Sequence, residues 1–451
     1  MNKRKILLPV ILLLCAGTLL QAQVYQQGFF VKNYRPVYRI NPALIPESDF
    51  IAAFEFSRNS VSNYGASAFL YPYQDGLVTG LHESVPAALF LGNLPELSVS
   101  NQEYDLNLFS YGFARGRGYH SMEINVRVPF STTLSKEAFE LLKTGMTRDK
   151  YDLSGMSLQG KVYVELAYGY GYRLSDVVTI GGRAKLLLPM YGLAYRLTNM
   201  DVVKTDSGIS VSTQGELDLP QRLKEFMAAP GDPIKLSDMR TNDRIPLPIG
   251  AGLAVDLGVT VTPNEYLTLS ASVQDLGAIV SCYGNAATTS SYEYFDGVGT
   301  LSYADLNKQG LTKKLKELGK EIVDGISVTS RYNKVRVETL PFAANLGVRY
   351  TLPFFDQIRV GAIANYVGYQ NMPYWEARLG ADYSPFRWLE VTGSFGRGAC
   401  GFLYGFGVAS HFYRFSFYFG YENGTAGLLP RSTTPVKANH RTWSVGLTYD
   451  L

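Results

Sequence analysis

Along most of this chain apolar and polar residues alternate strictly. From Val162 to Leu174 one parity reads Val162, Val164, Leu166, Tyr168, Tyr170, Tyr172 and Leu174, while the other reads Tyr163, Glu165, Ala167, Gly169, Gly171 and Arg173. Across the tight turn Ser175–Asp176, Val178, Ile180, Ala184, Leu186 and Leu188 oppose Thr179, Gly181, Arg183 and Lys185. Successive side chains of a strand point to opposite faces, so this period marks strands with one apolar and one polar face. The pattern recurs at Met122–Val128, Leu267–Gln274, Ala344–Tyr350, Trp375–Tyr383 and Thr442–Leu451. No apolar run after Gln23 reaches the roughly 18 residues of a helical membrane span.

A soluble sandwich and a transmembrane barrel both bury one face of every strand. Strand candidates of roughly 10–14 residues exceed the usual soluble length and match a tilted membrane crossing. Glycines on the polar parity, such as Gly169, Gly171, Gly347 and Gly380, leave space inside, and Tyr and Trp gather near strand ends as interfacial girdles do. Short connections at Arg115–Gly118, Leu174–Val177, Thr262–Glu265, Leu352–Asp356, Pro385–Arg387 and Phe412–Tyr413 alternate with long ones at Ser131–Ser157, Pro220–Ile245, Cys282–Thr339 and Asn423–Asn439. The pattern predicts an all-β fold, a transmembrane antiparallel barrel of about 14 strands within a range of about 12–16, its short turns periplasmic. The more polar Leu193–Asp218 is expected to be a hairpin projecting outside. Ser135–Lys143 and Tyr303–Val323 are expected to be short loop helices, the second amphipathic through Leu311, Leu315, Leu318 and Ile322.

Composition sharpens this picture. The chain has 451 residues, 18% charged and 13% aromatic, with 32 Tyr, 24 Phe, 3 Trp and 44 Gly. Low charge with many aromatics and glycines suits neither disorder nor nucleic-acid binding. Lys3, Arg4 and Lys5 account for the whole formal charge of +3, and together with apolar Ile6–Leu14 they read as a secretory signal peptide over residues 1–22. Cys15 raises a lipoprotein alternative, but Leu14 precedes it where a small residue is needed. Cys282 and Cys400 are too few for a disulfide framework. The expected organisation is a signal peptide at 1–22, a plug-like or periplasmic segment at 23–48 and a barrel at 49–451. Pro36, Pro42 and Pro46 keep the second part out of a sheet.

Two places resemble known families. Asn41, Pro42, Ala43 and Leu44 look like the Asn-Pro-Ala element of long-chain fatty-acid-channel (FadL-like) barrels and of related barrels attached to secretion machinery. Leu153–Gly155, Tyr163–Tyr170 and Ile180–Leu187 resemble a Bacteroidota-type outer-membrane barrel family with no assigned function. The resemblance covers nearly all of the chain beyond the signal peptide. It implies an outer-membrane barrel of a Gram-negative bacterium, distantly similar to fatty-acid channels, with Asn41–Leu44 as a plug motif in the lumen.

The inward parity departs from a hydrocarbon conduit, which apolar side chains should line. It carries Glu165, Arg173, Arg183, Lys185, Arg349, Glu376, Arg378 and Asp382 as expected lumen-facing charges. His82, His120, His411 and His440 show no triad or zinc-ligand spacing, so neither catalysis nor a cofactor is expected. Glu47 and Asp49 read as solvated charges, with a bound cation as the alternative. Two functions stay open. One is a channel for small hydrophobic or amphipathic solutes. The other is a non-transporting scaffold or accessory subunit of an outer-membrane assembly. Expected partners are outer-membrane lipids, a hydrophobic small molecule, and other outer-membrane or periplasmic proteins.

Overall fold

The computed structural model describes residues 26–66, 70–73, 76–205, 208–220, 234–235, 247–294, 327–368, 374–425 and 438–451. The signal peptide and the Tyr303–Val323 helix lie outside the described residues.

Fourteen antiparallel strands close into one barrel. They are β1 (Glu55–Tyr64), β2 (Leu97–Arg115), β3 (Gly118–Ser135), β4 (Ser157–Arg173), β5 (Val178–Thr205), β6 (Gly250–Asn264) and β7 (Leu267–Tyr294). The second half comprises β8 (Ala343–Leu352), β9 (Phe355–Val367), β10 (Tyr374–Phe386), β11 (Leu389–Gly398), β12 (Gly401–Phe412), β13 (Phe415–Thr425) and β14 (Ala438–Asp450). Closure comes from β14, which pairs with β1 through Asn59↔Trp443 and with the short strand Phe50–Ala52 through Phe50↔Asp450. Between those two pieces Phe54 takes a positive φ of 55° and bends the chain.

Short turns mark the periplasmic end. Gly116, with φ at 61°, sits in the β2–β3 turn, where a left-handed residue is needed. At the other end the wall rises beyond the bilayer. The upper part of β5 pairs with Gly208–Pro220 from Gly208↔Thr205 to Asp218↔Ala194, which is the expected outer hairpin. Cys282–Thr339 is not simply a loop. β7 continues to Tyr294, and Ser327–Thr339 returns beside it from Ala278↔Thr339 upward. Apolar and polar alternation fades there because a strand outside hydrocarbon has no lipid face to keep apolar.

The distribution of side chains is inside out. Leu253 is 69% exposed, Leu346 65% and Phe395 56%, whereas Arg378 is 1% and Glu376 2% exposed. An apolar exterior around a polar interior, with every strand paired, is what lipid requires. Aromatic belts bound the apolar band. Phe113, His120 and Tyr170 stack at the periplasmic side, beside Phe386, Trp388 and Phe412 further round. Tyr366, Trp375 and Trp443 stand at the outer side. The protein is an outer-membrane barrel.

Two short helices, α1 (Ala87–Asn93) and α2 (Lys136–Thr144), cover part of the outer end. Phe90 and Phe139 join them edge to face at 6.2 Å. Ser135 caps α2 by accepting from the Ala138 amide at 3.3 Å, as the Ser at that position predicts. Ser135→Ala will weaken α2 by about 1 kcal/mol. Amide exchange over 138–144 should quicken while the strands keep their protection.

Candidate functional site in the barrel lumen

The lumen is occupied by the chain's own N-terminal segment, described from Gln26 onward. Residues 26–48 lie there as two 3₁₀ turns, Gln27–Phe29 and Arg35–Arg39, linked through a further turn at Lys32–Asn33, and leave at the periplasmic end. Prolines and the absence of a period-two pattern keep this segment from pairing as a strand. Its apolar residues Phe29, Phe30, Val31, Tyr34, Val37, Ile40 and Leu44 form a core of their own against Ile363, Ala409 and Tyr418.

Polar bonds fix it to the wall on every side. Gln27 donates to Thr392 at 2.7 Å, accepts from Ser394 at 2.6 Å, and gives its amide to Glu422. Asn33 bonds Glu390, and Arg35 forms a two-pronged pair with Asp450 at 2.8 and 2.9 Å. Arg39 reaches Glu123 at 2.6 Å, Glu55 at 2.7 Å and Ser110 at 3.0 Å. Burial, reinforced by the charge of Glu123, pushes the Tyr38 hydroxyl well above its ordinary pKa. It therefore stays a neutral donor, bonding Glu123 at 2.8 Å.

Asn41 explains its neighbours. Its side-chain amide donates to the carbonyls of Val259 and Ala271 at 3.2 and 3.1 Å, and its oxygen accepts from the Ala43 amide at 2.9 Å. The turn it holds is buried together with Pro42, Ala43 and Leu44. Glycines on the wall make room for it. A Cβ on Gly181 would lie 2.2 Å from the Pro42 carbonyl oxygen, and one on Gly258 would lie 2.0 Å from the Asn41 oxygen. Gly347 and Gly380 likewise receive the rings of Phe29 and Phe30.

Above the segment a continuous ion-pair chain crosses the lumen. Arg183 joins Glu123 to Asp256, and Lys185 joins Asp256 at 2.7 Å to Asp275 at 2.6 Å. Arg127 then contacts Asp275 at 3.2 Å, Glu165 at 3.0 Å, Asp105 at 3.3 Å and Glu103 at 2.8 Å. Higher still is a cavity of about 170 Å³, lined by Glu103, Phe130, Tyr163, Ile279 and Leu340 with the Lys161–Glu338 pair at its side.

Of the charges that the alternation points to, Glu165, Arg183 and Lys185 stand in this chain. Glu376 and Arg378 form a separate buried pair at 2.9 Å near Glu422, and Asp382 pairs with Arg359 at 3.2 Å. Arg349 lies 4.2 Å over the Phe29 ring, and Arg173 is exposed at the periplasmic rim. Asp49 accepts from the Ala114 amide at 2.7 Å, and Glu47 is exposed. Cys282 and Cys400 are free thiols. Sequence reasoning leaves out Arg39, Glu55, Glu103, Arg127, Asp256 and Asp275. Arg127 and Asp256 carried a usable signal: Arg127 shares the polar parity that opposes Met122, Ile124, Val126 and Val128, and Asp256 the parity that opposes Leu253, Val255, Leu257 and Val259.

Residues 42–422 match the model of a family described as a family of unknown function, DUF5723. The chain belongs to this family. No curated protein matches this DUF5723 member. Among solved structures it is similar to the toluene transporter TbuX of Ralstonia pickettii, at 10% identity over 92% of this chain and 93% of that chain, with a TM-score of 0.46. The toluene transporter TodX of P. putida follows at 9% identity over 94% and 95%, with a TM-score of 0.46. A Pseudomonas aeruginosa FadL homologue is 13% identical over 93% and 95%, with a TM-score of 0.43.

Proposed function

We propose that the protein is a channel for small amphipathic solutes, held shut at rest by its own N-terminal plug, residues 23–48. One observation carries this reading. A barrel of about eight strands can be filled by side chains alone, so a wider one has spare interior. Here a dedicated length of chain fills the lower part of that interior, while a cavity of about 170 Å³ remains above it on the outer side. The apolar faces of Tyr163, Ile279 and Leu340 beside Lys161 and Glu338 suit a solute with one apolar and one polar end. Passage then requires the segment to loosen from the wall. Conductance across planar bilayers tests this: the full chain should be nearly silent, and a folded variant lacking residues 23–48 should conduct. A deletion variant as tight as the full chain sinks the reading.

The ion-pair chain from Arg39 to Glu103 favours a second reading, a permanently sealed scaffold for other outer-membrane or periplasmic proteins. On that reading the deletion variant stays silent and polypeptides co-purify in mild detergent.

A further inference from the structure

The lipid-facing wall carries a feature that neither function uses. Across β6–β12 small and large outward residues are arranged so that the surface is concave. Ala362, Ala364 and Ala377 form a floor between Leu346 and Phe395, with Ala271 beyond Leu346, in an open groove of about 860 Å³. Between the aromatic belts the outward side chains of β8–β12 are apolar or aromatic. The exception stands at the groove's outer end. Arg397 is exposed one residue before the end of β11, opposite Ala377 on one side and Phe402 on the other. It has no ion pair among the described residues. The other outward arginine near this level, Arg441, is already bonded to Asn423 at 3.3 Å.

We propose that this groove binds an anionic phospholipid-type molecule of the outer leaflet, its acyl chain along the alanine floor and its phosphate on Arg397. Lipid is the occupant because the face is continuous with the hydrocarbon band. Charge selects the class. A guanidinium at the interface offers paired donors that match a phosphate, and a zwitterionic or neutral headgroup meets it less favourably. The alanine floor fixes the position, because an acyl chain gains contact only where the wall recedes. A bare cation at the interface could also simply extend to water. That alternative predicts no preference among lipids.

Native mass spectrometry of the full chain, from micelles containing equal phosphatidylglycerol and phosphatidylcholine, separates the two. The wild type should retain phosphatidylglycerol about five-fold over phosphatidylcholine, the effect of one basic residue near an anionic headgroup. Arg397→Gln should abolish the preference, and Arg441→Gln should keep it. Ala377→Phe, which fills the floor, should lower retention of both lipids. All three substitutions point outward, so heat-modifiable migration should confirm folding. Equal retention by the wild type, a preference surviving Arg397→Gln, or a dimer mass without lipid would overturn the proposal.

Discussion

Arg127→Ala will destabilise the barrel by about 3–5 kcal/mol, the usual cost of removing one partner from a buried ion pair. The effect should sit at the upper end of that range. Arg127 is 4% exposed and stands within 3.3 Å of carboxylates from Glu103, Asp105, Glu165 and Asp275. Without it those groups face one another, and Lys185 alone remains against Asp275. Arg127→Met fills the space but leaves the same charges unpaired, so it should rescue little. The urea midpoint in detergent, followed by heat-modifiable migration, reads the change. A shift no larger than that of an exposed pair, such as Arg148 with Glu137 and Glu140, would show that the lumen is wet enough to screen these charges.

Gly181→Val will expel the N-terminal segment while leaving the barrel closed. Overpacking a filled site typically costs about 1–3 kcal/mol. A Cβ at Gly181 meets three backbone atoms, the Pro42 oxygen at 2.2 Å, the Pro42 carbon at 2.3 Å and the Ala43 nitrogen at 2.6 Å. Backbone held by the Asn41 turn cannot step aside as a flexible side chain would. The wall strands around Gly181 are paired on both sides, to Gly171 and to Gly258, so the weaker partner moves. Protease should then reach the segment in the folded variant. Gly393→Ala is the contrast. Nothing lies within 4 Å of its Cβ on the lipid face, so stability should stay within about 0.5 kcal/mol of the wild type. An N-terminus still protected in Gly181→Val would mean that the wall, not the segment, yields.

Alternation along the chain determined the architecture. Period two is a local property, and hydrocarbon enforces it on every spanning strand, so the runs at Val162–Leu174 and Trp375–Tyr383 announce strands, faces and lipid exposure together. Turn lengths set the end that faces the periplasm. Even Gly347 and Gly380 were legible as empty inward positions. What fills them was not, because Phe29 and Phe30 lie more than 300 residues away along the chain and meet them only when the barrel closes. The partners of the inward charges were hidden for the same reason. Register places Arg183 beside Asp256 across β5 and β6, and no spacing in the sequence encodes it. Asp275 was harder still. It takes a positive φ of 56° where the β6–β7 pairing slips, so parity breaks at that residue. Local pattern therefore determined the wall, and only tertiary closure decided what the wall encloses, because a lumen is made of contacts between residues distant in the chain.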